Sequence, residues 1–253
     1  MQNDITAFWL LNSPPKTDAM KLKIIECDEL YPDLVDDYGS YGRMFEHYFK
    51  ALSPTMEFQY FSAIRQQLPE TFDQDDIFLI TGSKFGVYEA EPWIQELLAW
   101  ITKAYTAGSR FIGICFGHQA LAQALGGQVE KSPKGWGLGV RTLEMDSDKQ
   151  AQIDYGKAQF SLIYSHQDQV VQLPENAVTI VGDEFCPNAG FYIDHQVIAF
   201  QGHPEFTEVY ARRLLTRRAD RFEKDFFQSA MSSLSQPTDA ASLGRAIIQY
   251  MHN

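Results

Sequence analysis

Arg110-Phe-Ile-Gly-Ile-Cys115-Phe-Gly-His-Gln119 is the stretch of this sequence that decides the fold. A short apolar run ends at Cys115, a glycine follows two residues later, and a helical pattern begins. This order predicts a strand that delivers the cysteine onto a sharp turn at the start of a helix. A thiol in that position meets the positive end of the helix dipole, which favours the thiolate. The alternative is a buried, inert cysteine that packs as a small hydrophobic residue.

Strand and helix patterns alternate through the first half of the chain. Predicted strands cover residues 22–28, 57–63, 76–80 and 110–115, and predicted helices cover 43–51, 91–107 and 116–125. This alternation implies a mostly parallel sheet with right-handed crossovers. Residues 31–42 are rich in Tyr, Asp and Gly and are predicted to form a loop.

The second half of the chain changes to short strands and then to helices. The strands are predicted at 137–145, 160–164, 177–182 and 189–201, and the helices near 206–218 and 239–251. The length of 253 residues fits one large or two small domains. No repeat, low-complexity linker or convincing boundary divides the chain. The sequence therefore predicts one α/β domain over residues 1–253, with its chemistry within 76–206 and a helical extension over 206–253.

Composition excludes several classes of function. The formal net charge is −12, which disfavours non-specific binding to nucleic acid or to an anionic membrane. A hydrophobic content of 45% supplies an ample core, and the 21% of charged residues argues against disorder. The composition does not indicate which small molecule the protein binds.

The cysteines and the start of the chain indicate a cytoplasmic protein. Cys27, Cys115 and Cys186 are widely spaced and form no disulfide-like framework. The N-terminus lacks the features of a secretion signal, and no run approaches the roughly 18 apolar residues of a membrane span. No metal or cofactor is predicted, because HExxH, Cys/His ligand spacing and a P-loop are all missing.

A second segment supplies a candidate base for Cys115. In Ile198-Ala-Phe-Gln-Gly-His203-Pro-Glu205-Phe, an apolar strand ends in glycine and a helix begins soon after His-Pro-Glu. Histidine is the usual base for a cysteine nucleophile, and Glu205 is placed to accept a hydrogen bond from its imidazole. The alternative is a surface His-Pro turn whose glutamate complements the helix dipole.

Together, the two segments resemble a known enzyme family. Gly113-Ile-Cys115-Phe-Gly-His-Gln119, followed 88 positions after Cys115 by His203-Pro-Glu205, is similar to the G-x-C-x-G-x-Q and H-P-E motifs of the class I, triad-type glutamine amidotransferases. The resemblance spans roughly residues 76–206, about half of the chain. It implies a flavodoxin-like, three-layer α/β architecture. It also implies a nucleophile at Cys115, a base at His203 and an orienting acid at Glu205.

The resemblance further implies an oxyanion site. One donor is the backbone N–H of Phe116, and the other comes from the loop Thr81-Gly82-Ser83. The common family form of that loop is Gly-Gly-Pro, and this chain differs from it. It is therefore open whether the N–H of Gly82 or that of Ser83 donates. Gly82 is otherwise an ordinary glycine at the end of a strand.

The resemblance also implies contacts with substrate. Gln119 corresponds to a glutamine that contacts the γ-glutamyl group, with a helix-surface glutamine as the alternative. Ser165 and His166 lie in an S-H-x-D stretch that lines the pocket for the α-amino and α-carboxylate ends. His118 is predicted to be structural. Residues 33–37 are predicted to form a solvated acidic loop, with a lid over the pocket as the alternative.

The implied reaction is hydrolysis of a γ-glutamyl amide through a thioester on Cys115. Three alternatives remain open at this stage: a self-sufficient γ-glutamyl hydrolase or peptidase, a glutaminase subunit that passes ammonia to a separate synthetase, and a non-catalytic binding protein. The segment Tyr88-Glu-Ala-Glu-Pro-Trp93 is similar to stand-alone members related to the glutaminase domain of GMP synthase. The sequence does not determine which group leaves in the reaction, nor the oligomeric state.

Overall fold

The computed structural model describes residues 20–145, 153 and 155–252. The predictions about residues 1–19, including the missing secretion signal, lie outside this range. The strands are β1 Lys21–Glu26, β2 Glu57–Ser62, β3 Ile77–Ile80, β4 Arg110–Ile114, β5 Gln128–Lys131, β6 Gly137–Glu144, β7 Gln159–His166, β8 Asp168–Gln172, β9 Val178–Val181, β10 Gly190–Ile193 and β11 Val197–Phe200. The helices are α1 Pro32–Tyr38, α2 Tyr41–Leu52, α3 Pro92–Thr106, α4 Phe116–Ala124, α5 Glu208–Arg217, α6 Lys224–Ser233 and α7 Ala240–His252.

A mostly parallel seven-stranded sheet forms the centre of the described structure. Its order is β2-β1-β3-β4-β11-β10-β9, and the first five strands in this order run parallel to one another. Strand β10 runs antiparallel to both β11 and β9. Strands β3 and β11 are buried along their whole length, which explains why they read as continuous apolar runs rather than as alternating ones. This sheet confirms the predicted α/β fold class.

Helices cover both faces of the sheet and give it three layers. On one face, buried residues of α3 and α4 pack on Phe78 and Ile80 of β3. On the other face, buried residues of α2 and α7 pack on Leu79 of β3 and Phe200 of β11. Helix α7 is thus part of the main hydrophobic core. None of the helices in the described ranges is long and apolar enough to cross a membrane.

Several sequence-based predictions of individual elements were wrong. Residues 31–42 contain helix α1, which begins at a proline suited to the first helical turn and is followed by Gly39 with φ of 70°. The run 189–201 is a hairpin of β10 and β11 that turns at Asp194, where φ is 43°. Strands β5 and β8, which pair with each other, and helix α6 were not predicted.

The acidic segment 33–37 is exposed to solvent as predicted, but it lies on helix α1 rather than in a loop. Asp37 forms an ion pair with Arg213 of α5, and Asp33 forms one with Arg217. The Arg213 guanidinium also donates to the backbone carbonyl of Asp33 over 2.7 Å. These acids therefore fasten α1 to α5.

Candidate active site

Cys115 lies on a sharp turn between β4 and α4. Its φ of 54° and ψ of −103° form a conformation that residues other than glycine rarely adopt. The turn is held by two hydrogen bonds: the Cys115 N–H donates to the Phe200 carbonyl over 2.9 Å, and the Gln119 N–H donates to the Cys115 carbonyl over 3.1 Å. Strained conformations of this kind persist where the surrounding structure fixes them, and they concentrate at functional sites.

The two glycines that flank the turn are required by close packing. A Cβ added at Gly117 would lie 2.1 Å from the carbonyl oxygen of Ile80. A Cβ added at Gly113 would lie 2.5 Å from Cδ1 of Leu121 and 2.7 Å from the Gly117 carbonyl oxygen. The start of α4 therefore rests directly on the end of β3. The spacing G-x-C-x-G follows from that contact.

Gly117→Ala should lower the free energy of unfolding by about 3 kcal/mol, because the added methyl group meets a backbone carbonyl that cannot rotate away. Gly42→Ala in helix α2 is a matched comparison. There the added Cβ would meet the side chains of Tyr60 and Glu26, which can move, so a smaller loss is expected. Urea unfolding of both variants measures the difference. Equal losses would contradict the backbone contact as the cause.

His203 and Glu205 follow strand β11 and form a buried pair. The Nδ1 atom of His203 lies 2.8 Å from Oε1 of Glu205, and both residues are buried. The ring of Phe206 stacks on the imidazole at 3.9 Å. Burial alone would lower the pKa of His203, but the charge of Glu205 and the interactions with Cys115 outweigh it and raise the pKa to about 10. The surface His-Pro turn is thereby excluded.

Loop 81–83 lies beside Cys115 and His203. A Cβ added at Gly82 would lie 3.0 Å from Cε1 of His203 and 3.7 Å from Cβ of Cys115. Strands β3, β4 and β11 are neighbours and parallel, so their carboxyl ends meet at one edge of the sheet. Gly82, Cys115 and His203 are adjacent for that reason.

The side chain of Thr81, where the common family form has glycine, forms two hydrogen bonds. Its buried Oγ1 accepts a hydrogen bond from the Cys27 N–H over 3.0 Å and donates to the Gly82 carbonyl over 3.1 Å. Asp28 binds the other side of the loop, accepting from the Lys84 N–H over 2.9 Å and from Nζ of Lys84 over 2.8 Å. These contacts, which sequence reasoning missed, anchor the loop to the end of β1.

A cavity of about 200 Å³ opens over Cys115. Four residues singled out from the sequence line it: Ser83, Gln119, Ser165 and His166. Gly82 and His203 line a smaller cavity that also reaches Cys115. The side chain of Phe116 points elsewhere, into the core against Trp93 at 5.6 Å, so only its backbone can serve the site.

Gln119 is buried and held in one orientation. Its Nε2 donates to the Asp168 carbonyl over 2.9 Å and to Oε1 of Gln201 over 3.0 Å. Both amide hydrogens are thus used, and the carbonyl oxygen is the group that remains for a ligand. The helix-surface alternative for Gln119 is wrong. The contact with Gln201 was not predicted from the sequence. The signal that could have indicated it is an amide side chain at the end of an otherwise apolar strand.

Two other buried histidines, His166 and His118, have lowered pKa values. His166 donates from Nδ1 to the Asp168 carbonyl over 3.0 Å, and burial lowers its pKa to about 4. Burial lowers the pKa of His118 to about 3, and its ring packs against Phe191 at 5.1 Å. His118 is a core residue, whereas His166 presents an uncharged edge to the cavity.

The other two cysteines are ordinary buried thiols. Burial raises the pKa of Cys27 far above its usual range and raises the pKa of Cys186 to about 12. Within the described residues, no group of His, Cys, Asp and Glu side chains could hold a metal ion. Cys115 is therefore the thiol that a substrate can reach from the cavity.

Comparisons with known proteins agree with this arrangement. The profile of the family described as "Glutamine amidotransferase class-I" matches residues 33–218. YLR126C of Saccharomyces cerevisiae, ascribed to the glutamine amidotransferases, is 33% identical over 186 residues, which are 70% of this chain and 73% of that protein. Gamma-glutamyl peptidase 3 of Arabidopsis thaliana is 29% identical over 206 residues, 78% of this chain and 82% of that protein.

A solved structure extends the likeness to the fold. The crystal structure of a glutamine amidotransferase from Thermotoga maritima superposes with a TM-score of 0.73 and 20% sequence identity. The match covers 92% of this chain and 97% of that one, and it bears on the fold alone. With the family profile spanning most of the described residues, this chain belongs to the class I glutamine amidotransferases.

Proposed function

We propose that the protein hydrolyses γ-glutamyl amide bonds with Cys115 as nucleophile, His203 as base and acid, and Glu205 as the orienting carboxylate. The single observation that carries this proposal is the buried His203–Glu205 pair beside the strained cysteine turn. In this arrangement Glu205 holds the imidazole of His203 beside Cys115, so His203 can take up the thiol proton when the cysteine attacks.

The first half of the reaction forms a thioester. The Cys115 thiolate attacks the γ-carbonyl carbon, and the resulting oxyanion accepts hydrogen bonds from the N–H of Phe116 and from the N–H of Gly82 or Ser83. No hydrogen bond within the described residues uses these three N–H groups. His203 then gives its proton to the leaving nitrogen, the C–N bond breaks, and the amine departs.

The second half of the reaction releases glutamate. His203, now neutral, takes a proton from a water molecule that attacks the thioester carbon. The C–S bond breaks, Cys115 leaves as a thiolate, and His203 regains its charge beside Glu205. In both halves, Gln119, Ser165 and His166 hold the γ-glutamyl part, with the Gln119 carbonyl oxygen as an acceptor for its α-ammonium group.

We favour a self-sufficient hydrolase that works as one domain in the cytoplasm. Helix α7 supports the single domain, since its buried side chains belong to the same core cluster as those of β3, β4 and β11. The likeness to gamma-glutamyl peptidase 3 of Arabidopsis thaliana supports a peptide substrate. Three unpaired cysteines suit a reducing compartment.

Purified protein, offered glutamine, γ-glutamyl dipeptides and a glutathione conjugate without any partner, should release glutamate from at least one peptide. Acid quenching during turnover should trap a γ-glutamyl adduct on Cys115, detectable by mass spectrometry. Activity that starts only after a synthetase, ATP and its acceptor are added would instead indicate a glutaminase subunit. Binding without turnover or adduct would indicate a non-catalytic protein.

A further inference from the structure

The arginines of α5 and the following turn fall into two groups. Three of them have carboxylate partners: Arg212 pairs with Glu208 at 2.8 Å, and Arg213 and Arg217 pair with the acids of α1. Arg218 and Arg221 have no carboxylate partner among the described residues. These two also line the cavity over Cys115. Unpaired arginines at this cavity are notable in a chain whose net charge is −12.

Arg218 lies between the two cavities that reach the candidate nucleophile. It lines the larger cavity and also the smaller one beside His203. Its Nη1 donates to Oγ of Ser165 over a long 3.4 Å, while its Nε is shielded from solvent and has no partner among the described residues. A shielded, unpaired N–H of a guanidinium is unfavourable, so an acceptor is expected to meet it.

The acids of the same cavity are already engaged. Oδ1 of Asp168 accepts from the Tyr88 hydroxyl over 2.9 Å, and Oε1 of Glu89 accepts from the Gly86 N–H over 2.6 Å. Neither is paired with Arg218 or Arg221. The fork of a guanidinium matches a carboxylate with two parallel hydrogen bonds, which makes a carboxylate the best-fitting ligand for this pair.

We propose that Arg218 and Arg221 bind a carboxylate carried by the leaving group, so that the preferred substrates are γ-glutamyl peptides with a free carboxylate on the amine side. The proposal rests on the proposed function. Arg221 is exposed at the mouth of the cavity, whereas Gln119 and His166, expected to hold the γ-glutamyl half, are buried. The leaving group must point toward the mouth, where Arg221 lies, and Arg218 lines the same cavity. The leaving group of glutamine is ammonia, which carries no carboxylate, so glutamine cannot bind Arg218 and Arg221 in this way.

The test compares three substrates that share the γ-glutamyl half: a γ-glutamyl dipeptide, the same dipeptide with a C-terminal amide, and a γ-glutamyl anilide. The wild type should cleave the acid with a kcat/KM about 10-fold above that for the amide. Arg218→Gln and Arg221→Gln should each lose about 10-fold on the acid, mainly in KM, and change less than about 2-fold on the other two substrates. Arg212→Gln, the matched control, should keep the wild-type preference.

The other possible results would contradict the proposal, and they can be told apart. An equal loss on all three substrates would assign the arginines to the α-carboxylate of the γ-glutamyl half. Unchanged kinetics in both variants would show that no carboxylate is bound there. Arg221 is exposed, so its variant keeps the test valid even if Arg218→Gln fails to fold. If the wild type cleaves none of the substrates and Cys115 takes up no γ-glutamyl group, the proposed function itself fails.

Discussion

Replacing Cys115 by serine should lower the hydrolysis of γ-glutamyl peptides by about 10³-fold or more, measured as glutamate released per enzyme. The imidazolium of His203 can hold a thiolate beside it, but a serine hydroxyl is far harder to ionise. The turn itself accepts serine, since nucleophile elbows of the same geometry carry that residue. The loss should therefore fall on kcat, with the fold and the free energy of unfolding nearly unchanged.

Selective alkylation gives an independent check on Cys115. Iodoacetamide at neutral pH should modify Cys115 in the native protein and leave Cys27 and Cys186 intact, because burial raises the pKa of both other thiols. Alkylation should proceed in step with the loss of activity. Cys186→Ala is the control for removal of a thiol elsewhere and should retain hydrolysis. Unchanged turnover by Cys115→Ser would contradict the mechanism.

The local chemistry of the site could be predicted from sequence because it depends on short stretches. The turn at Cys115 follows from a strand, a helix and two glycines within a few residues. The partnership of His203 and Glu205 needs only a two-residue spacing. That these stretches meet was implied by the family resemblance, and the sheet gives the physical reason: β4 and β11 are parallel neighbours whose carboxyl ends lie at one edge.

Contacts between distant segments could not be predicted. Gln201 orients Gln119 across 82 residues, and the contact depends on which strand lies beside β4. Arg218 lies on the turn after α5, which forms ion pairs with α1, and the loop predicted at 31–42 gave no sign of that helix. The hairpin at Asp194 was missed for a different reason: apolar residues continue on both sides of the turn.

Glu205→Gln should lower kcat by about 100-fold at neutral pH, because an amide holds the imidazole in place but no longer stabilises its charge. Glu208→Gln is the matched control, since Glu208 lies three residues further on, is half exposed and forms its ion pair with Arg212. Its kcat should equal that of the wild type. A Glu205→Gln enzyme with wild-type kcat would exclude the orienting role.

The pH dependence separates an electrostatic role of Glu205 from a merely structural one. In the wild type, the pKa of His203 is raised from 6.5 to about 10, so kcat/KM should fall on the alkaline side only as pH approaches 10. Glu205→Gln removes one of the charges that raise this pKa, and the alkaline limb should move to lower pH. The same linkage acts on stability: the charged His203 stabilises the fold fully below about pH 6.5, and this contribution is lost as pH rises through 10. In Glu205→Gln, the decline in the free energy of unfolding over that range should become shallower. A variant that is less active at every pH, with its alkaline limb unmoved, would show that Glu205 only positions the ring.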